Sequence, residues 1–224
     1  MGIMEFNRSE PDLVIFDCDG VLVDSEMLSC QCLSEALGEY GIELGIEQVL
    51  QLFLGKSSAA VTLYWRQRGQ PLPETFLPEL KSRVRERFRR SLQPIPGIGS
   101  LLSSLRTPFC VASSSDLDRV ALSLVLTRLA PHFGDRLYTS QMVPRGKPAP
   151  DLFLYAAAQM KTAPMRTLVV EDSVSGVAAA KAAGMTVWGF VGGSHYRFRD
   201  GRNMLCDAGA DRVFERMADF WNQG

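Results

Sequence analysis

Asp17 and Asp19 stand almost side by side where an apolar run stops. With Asp24 and Glu26 they place four acidic side chains within ten positions of the stretch VIFDCDGVLVDSE. Like charges at that spacing repel unless a cation sits among them. A hard divalent ion such as Mg2+, which takes oxygen ligands in octahedral geometry, suits paired carboxylates. One carboxylate could then attack an electrophilic centre while the other moves protons, provided the fold brings further groups to the same place.

The scaffold that must position them reads as alternating strands and helices. Residues 13–16, 108–112, 137–139, 167–170 and 186–190 are short runs, mostly apolar on both faces, as parallel strands buried between helix layers are. Helical spacing appears at Cys30, Leu33, Ala36, Leu37 and Tyr40, and again at Ile98, Leu101, Leu102 and Leu105 after the Pro96-Gly97 turn. The small-residue segment VSGVAAAKAA closes on Gly184, the pattern of a helix pressed closely on a sheet. Residues 25–93 carry helical patterns without a strand and are too long for a crossover, which predicts a separate α-helical subdomain.

Ligands of open parallel sheets bind beyond the carboxyl ends of the strands. Asp17 and Asp19 follow the first run, Ser113, Ser114, Ser115 and Asp116 the second, Lys147 in GKPAPD the third, and Glu171, Asp172 and Ser173 the fourth. Taken singly, these residues are ordinary helix caps and turns. Converging on one edge, they form the kit for phosphoryl transfer: an oxygen nucleophile, a proton donor, cations for the equatorial charge and hydrogen bonds that fix geometry. Mg2+ would sit among Asp17, Asp172 and a backbone carbonyl, Asp17 would attack phosphorus, and Asp19 would protonate the leaving oxygen.

Asp17-Cys18-Asp19-Gly20-Val21-Leu22-Val23-Asp24-Ser25, the strand ending in Ser113, Gly146-Lys147-Pro148-Ala149-Pro150-Asp151, and Glu171-Asp172-Ser173-Val174-Ser175-Gly176 resemble, in order, the four motifs of the haloacid dehalogenase superfamily. The chain is most similar to the β-phosphoglucomutase-like phosphatases. That resemblance implies a Rossmann-like α/β core from residues 1–24 and 94–224 and a helical cap from residues 25–93. It also implies that Asp17 is the nucleophile, Asp19 the general acid and base, Ser113 a phosphoryl hydrogen-bond donor and Lys147 the cation that steadies phosphate and nucleophile. Magnesium would be held by Asp17, the Asp19 carbonyl and Asp172, with Glu171 acting through water. Dehalogenases proper lack the second Asp, so Asp19 argues for phosphorus chemistry. The mutases carry a His twelve residues after the nucleophile and an Arg three residues past a Gly of the cap loop. This chain has Ser29 and Ser58 at those places, which favours hydrolysis over mutase activity.

The loop Leu54-Gly55-Lys56-Ser57-Ser58 falls where relatives reach down to the substrate. Gly55, Lys56 and Ser57, with Ser114 from the core, are therefore expected to contact a small anionic, hydroxyl-rich metabolite such as a sugar phosphate. The basic run from Lys81 to Arg90 suggests nucleic acid at first sight. Yet Leu77, Leu80, Val84 and Phe88 form a helical stripe that leaves the arginines on a solvated face, and no nucleic-acid partner is expected. His195 follows the fifth strand, and His132 and Trp65 read as packing residues.

Composition agrees with this picture. The 224 residues are 46% apolar and 22% charged with a net charge of −1, so no overall field points to nucleic acid or an anionic membrane. MGIMEFNRSE does not read as a signal peptide, and no apolar stretch reaches a membrane span. Five cysteines without a CxxC pair suit free thiols in a cytoplasmic protein. No heptad seam or interface stripe stands apart from the core pattern, so the sequence leaves the oligomeric state open, with a monomer favoured. A non-catalytic relative that binds a phosphorylated ligand or a partner protein is the alternative of another class, against which the full set of Asp17, Asp19, Lys147 and Asp172 speaks.

Overall fold

The computed structural model describes residues 10–54 and 58–221. Its strands are β1 (Leu13–Phe16), β2 (Phe109–Ser113), β3 (Leu137–Thr139), β4 (Thr167–Glu171), β5 (Thr186–Phe190) and β6 (Arg212–Phe214). They form one sheet in the order β3-β2-β1-β4-β5-β6, every pair parallel. The five predicted strands are present. The sixth, on the far edge, was not anticipated. Both β2 and β4 run one residue beyond the apolar pattern, to Ser113 and Glu171, because ladder pairing continues where the side chains have turned polar.

β1 is central, and its side chains alternate between two cores. Val14 and Phe16 join one cluster, to which α5 (Ile98–Ser104), α6 (Leu117–Leu126) and α7 (Ala130–Phe133) contribute. Leu13 and Ile15 join the other, under α8 (Asp151–Gln159), α9 (Val174–Ala182) and α10 (Gly201–Asp207). A sheet apolar on both faces is covered on both, which is the α/β layer architecture expected from the runs. In α9, Ala179 and Ala180 are fully buried, as a helix of small residues lying against a sheet requires.

Between β1 and α5 the chain forms α1 (Glu26–Gly38), α2 (Ile46–Phe53), α3 (Ser58–Gln67) and α4 (Phe76–Ser91), with no strand among the described residues of this segment. α4 buries Phe76, Leu80, Val84 and Phe88, one per turn, while Leu77 is half-buried. Its arginines engage the protein's own carboxylates: Arg83 pairs with Glu39 at 2.7 Å and Arg87 with Glu35 at 3.0 Å, both on or next to α1. The hydrophobic side of this insertion is continuous with the core cluster around Phe16. No helix among the described residues is long and apolar enough to cross a membrane.

Candidate active site

β1 lies between β2 and β4, so the carboxyl ends of three adjacent strands bring Asp17, Ser113, Glu171 and Asp172 to one place. The Asp17 N–H donates to the Val170 carbonyl at 3.0 Å, carrying the ladder one step past β1 and fixing the carboxylate beside β4. Lys147 arrives from the loop after β3. Its Nζ donates to Asp17 Oδ1 at 2.6 Å, to Glu171 Oε1 at 2.5 Å and to the Ala112 carbonyl at 3.0 Å, so all three ammonium donors are used.

The electrostatics follow from this packing. Burial pushes the Asp17 carboxyl well above the usual range, Lys147 opposes that, and Glu171, Asp172 and Asp19 add to it. Asp172 is raised for the same reasons, burial first and then Glu171. Burial works against the charge on Lys147, but Asp17 and Glu171 outweigh it and raise its pKa. Asp19 differs from its neighbours. Burial alone would raise it, yet Arg119 and the hydroxyls of Ser115 and Ser25 outweigh burial and lower it.

Those donors surround the Asp19 carboxylate. Ser25 Oγ and Arg119 Nη2 reach Oδ1 at 2.6 and 2.8 Å, and Ser115 Oγ reaches Oδ2 at 2.6 Å. Ser25 stands at the N-cap position of α1 without making a side-chain cap bond; its hydroxyl is turned to Asp19 instead. Ser115 and Arg119 both depend on the turn after β2. There Asp116 caps α6 by accepting the Arg119 N–H at 2.9 Å, and the Ser115 N–H donates to Ser113 Oγ at 3.0 Å.

Two glycines let the carboxylates approach. Gly20 has a φ of +78°, and a Cβ there would lie 1.8 Å from Asp172 Oδ2. A Cβ on Gly176 would lie 1.9 Å from the Glu171 carboxylate, which also accepts the Ser173 N–H and hydroxyl, each at 2.9 Å. Behind Asp172, His195 is fully buried, its Nε2 3.1 Å from Asp172 Oδ2 without the alignment of a hydrogen bond. Burial lowers the His195 pKa, and the Tyr196 hydroxyl donates to the Asp172 carbonyl. His195 thus backs the site as a packed, buried residue.

A cavity of about 350 Å³ opens over these groups, with Ser113 and Ser114 among its lining residues. Asp17, Asp19, Glu171 and Asp172 lie at the strand ends, and Leu33, Phe53, Leu80, Val84 and Phe88 of the inserted helices line the opposite side. Sequence reasoning missed Ser25, Ser115 and Arg119 as partners of Asp19. It also missed Glu26, which lines the cavity and is pushed up to about 7 by burial and then by Asp19 and Asp172. The expected contacts Gly55, Lys56 and Ser57 lie outside the described residues.

Carboxylate oxygens of Asp17, Glu171 and Asp172 lie within 4.8 Å of one another, all three residues buried. Among the described residues, Lys147 and Arg119 are the cations bonded to the four carboxylates at the strand ends. A buried set of hard oxygen donors with that charge deficit fits a divalent cation.

Comparison with known proteins points one way. The profile of the family described as haloacid dehalogenase-like hydrolase matches residues 14–190. A 6-phosphogluconate phosphatase of Escherichia coli (strain K12) is 32% identical over 189 residues, 84% of this chain and 86% of that protein. Among solved structures, a haloacid dehalogenase-like protein of unknown function from Agrobacterium tumefaciens is 39% identical with a TM-score of 0.82, covering 93% of this chain and 95% of its own. A hydrolase of the same family from Deinococcus radiodurans, with bound phosphate and sodium, is 35% identical with a TM-score of 0.76, covering 95% and 94%.

Proposed function

Because the chain belongs to the haloacid dehalogenase-like hydrolases, we propose that it removes phosphate from a small, hydroxyl-rich phosphorylated metabolite through a phosphoryl group carried on Asp17. The observation that carries this is the division between two carboxylates of one loop. Asp17 is aligned by a lysine beside two further acids, while Asp19 is held apart by two hydroxyls and an arginine.

An Asp17 carboxylate oxygen attacks phosphorus, and the bond to the leaving oxygen breaks as Asp19 gives that oxygen its proton. A water then attacks the phosphorus of the phosphoaspartate. Asp19 takes the water's proton, and the bond from phosphorus to Asp17 breaks to release inorganic phosphate. Lys147 fixes the direction of the Asp17 carboxylate, and Ser113 donates to a phosphoryl oxygen. Asp17, Asp172 and the Asp19 carbonyl would hold Mg2+, with Glu171 acting through water; when bound, the ion supplies positive charge against phosphate and carboxylates.

Residues 25–93 act as a cap on a core of residues 1–24 and 94–224, and its closure excludes bulk water during transfer. A sugar phosphate or phosphorylated sugar acid is the substrate class best supported. Lys81 and Arg85 line the cavity with its hydroxyl groups, and the similar Escherichia coli protein is a 6-phosphogluconate phosphatase. Gly55, Lys56, Ser57 and Ser114 are proposed contacts to that substrate.

Hydrolysis is favoured over a mutase reaction by Ser29. Where mutases carry a His, its hydroxyl donates to the Ser25 carbonyl at 2.8 Å and accepts from Arg119 at 3.0 Å. The test is phosphate release from a panel of phosphorylated sugars and sugar acids, with and without Mg2+, beside Asp17→Asn. Turnover that needs both Mg2+ and Asp17 is expected. Ligand binding without any Asp17-dependent turnover would convert the protein into a phospho-ligand binder.

A further inference from the structure

The reaction above leaves one cation of the site without a task. Arg119 lies in the first turn of α6, and its Nη2 donates to Asp19 Oδ1 at 2.8 Å and to Ser29 Oγ at 3.0 Å. The guanidinium carbon stands 4.9 Å from the centre of the Phe88 ring. One side chain thus joins α6, the loop after β1, α1 and α4. The Arg119 side chain is 23% exposed and that of Asp19 10%, so the pair is shielded from the screening that weakens surface ion pairs.

Asp19 changes charge twice in each turnover, among Asp17, Glu171 and Asp172. Lys147 cannot follow that change, being bonded to Asp17 and Glu171. The other two donors to Asp19, Ser25 and Ser115, are neutral hydroxyls. Arg119 is the one cation bonded to Asp19 among the described residues.

We propose that Arg119 is a positioning residue for proton transfer. It holds Asp19 by Oδ1, stabilises the carboxylate formed as the proton passes to the leaving oxygen and the P–O bond breaks, and keeps that carboxylate aimed to take the proton of the attacking water. The inference rests on the assignment of Asp19 as acid and base.

The test compares 2-glycerol phosphate, whose alkoxide leaves only if protonated, with p-nitrophenyl phosphate, whose phenolate leaves without a proton. The quantity read is kcat/KM, which reports the steps through leaving-group expulsion. Asp19→Asn and Arg119→Ala are each expected to lower kcat/KM for 2-glycerol phosphate at least about tenfold more than for p-nitrophenyl phosphate. Arg119→Lys recovers part of the loss. Placed in the Asp19→Asn background, Arg119→Ala is expected to add less than about a twofold loss, since it acts through Asp19. Retained p-nitrophenyl phosphate hydrolysis shows that each variant is folded. Equal losses on both substrates for Arg119→Ala, or additive losses in the double variant, overturn the inference alone. Failure of Asp19→Asn to discriminate between the substrates overturns the acid assignment and the inference with it.

Discussion

Lys147 Nζ lies 2.6 Å from Asp17 Oδ1, reaching it from the loop after β3 across the end of β2. The same ammonium neutralises Glu171, and its side chain is only 2% exposed. Lys147→Met would leave two buried carboxylates facing each other, a loss that costs about 3–5 kcal/mol when one partner of a buried ion pair is removed. Turnover of p-nitrophenyl phosphate should fall by about 100-fold or more, because the nucleophile loses its alignment. Urea unfolding and initial rates check the two effects separately, and a variant of wild-type stability and rate would refute both.

Gly20 and Gly176 give a second prediction, because each leaves room for a carboxylate. Gly20→Ala forces a methyl group onto Asp172 and also strains a backbone at a φ of +78°; Gly176→Ala drives one into Glu171. Each should cost about 1–3 kcal/mol or more, as overpacking does, with activity falling further as the carboxylate is displaced. Gly99→Ala in α5 is the control, since a Cβ there meets nothing within 4 Å and alanine favours the helix by about 0.5–1 kcal/mol. Thermal melts of the three variants should separate in that order; a Gly20 or Gly176 variant as stable as Gly99→Ala would contradict the packing argument.

The carboxylates of this site were legible in the sequence because they follow continuous apolar runs, where a parallel sheet presents its ligand edge. Arg119 was not. It stands among Val120, Leu122 and Leu124 of an amphipathic helix, where an arginine is ordinarily a solvated residue, and only the fold brings it 100 residues back along the chain to Asp19. Ser25 and Ser115 were hidden by their chemistry, since serine beside a helix start ordinarily caps the helix or makes a turn. β6 escaped because three residues beginning with an arginine carry no period, and its strand identity comes from pairing with β5. His195 looked like a loop residue; its burial behind Asp172 depends on Gly20 and Gly193, either of which, given a Cβ, would crowd its ring.

Asp116 links the helix cap to pH. Burial alone would raise its carboxyl, but Lys81 and the Arg119 N–H outweigh it, so the folded value lies below the ordinary 3.8. A depressed carboxylate stabilises the fold above its unfolded pKa and loses that contribution as pH falls through the folded value. Denaturant unfolding should therefore show the wild type losing, as pH falls below about 5, an increment that Asp116→Ala has already lost at neutral pH. That loss is about 0.5–2 kcal/mol, the size of an N-cap. Parallel pH profiles for the two proteins would remove Asp116 as the source.

The carboxyls of the candidate metal site carry the opposite sign. Burial first, then neighbouring charges, raises the carboxyls of Asp17 and Asp172 in the metal-free protein. A carboxyl raised in the fold contributes stability below its unfolded pKa and loses it as pH rises through the folded value, so the metal-free fold weakens toward neutral pH. Mg2+ competes with those protons, and its stabilisation must grow in the same direction. Protein stripped with EDTA and titrated with Mg2+ should gain about 2.7 kcal/mol when the ion reaches 100 times its dissociation constant. With the ion held at that same concentration, the gain should shrink as the measurement is repeated toward pH 5, and Asp172→Asn should remove most of it at every pH, because the ion loses one of its carboxylates. A magnesium increment that is independent of pH, or that survives Asp172→Asn, would place the ion somewhere other than the ends of β1 and β4.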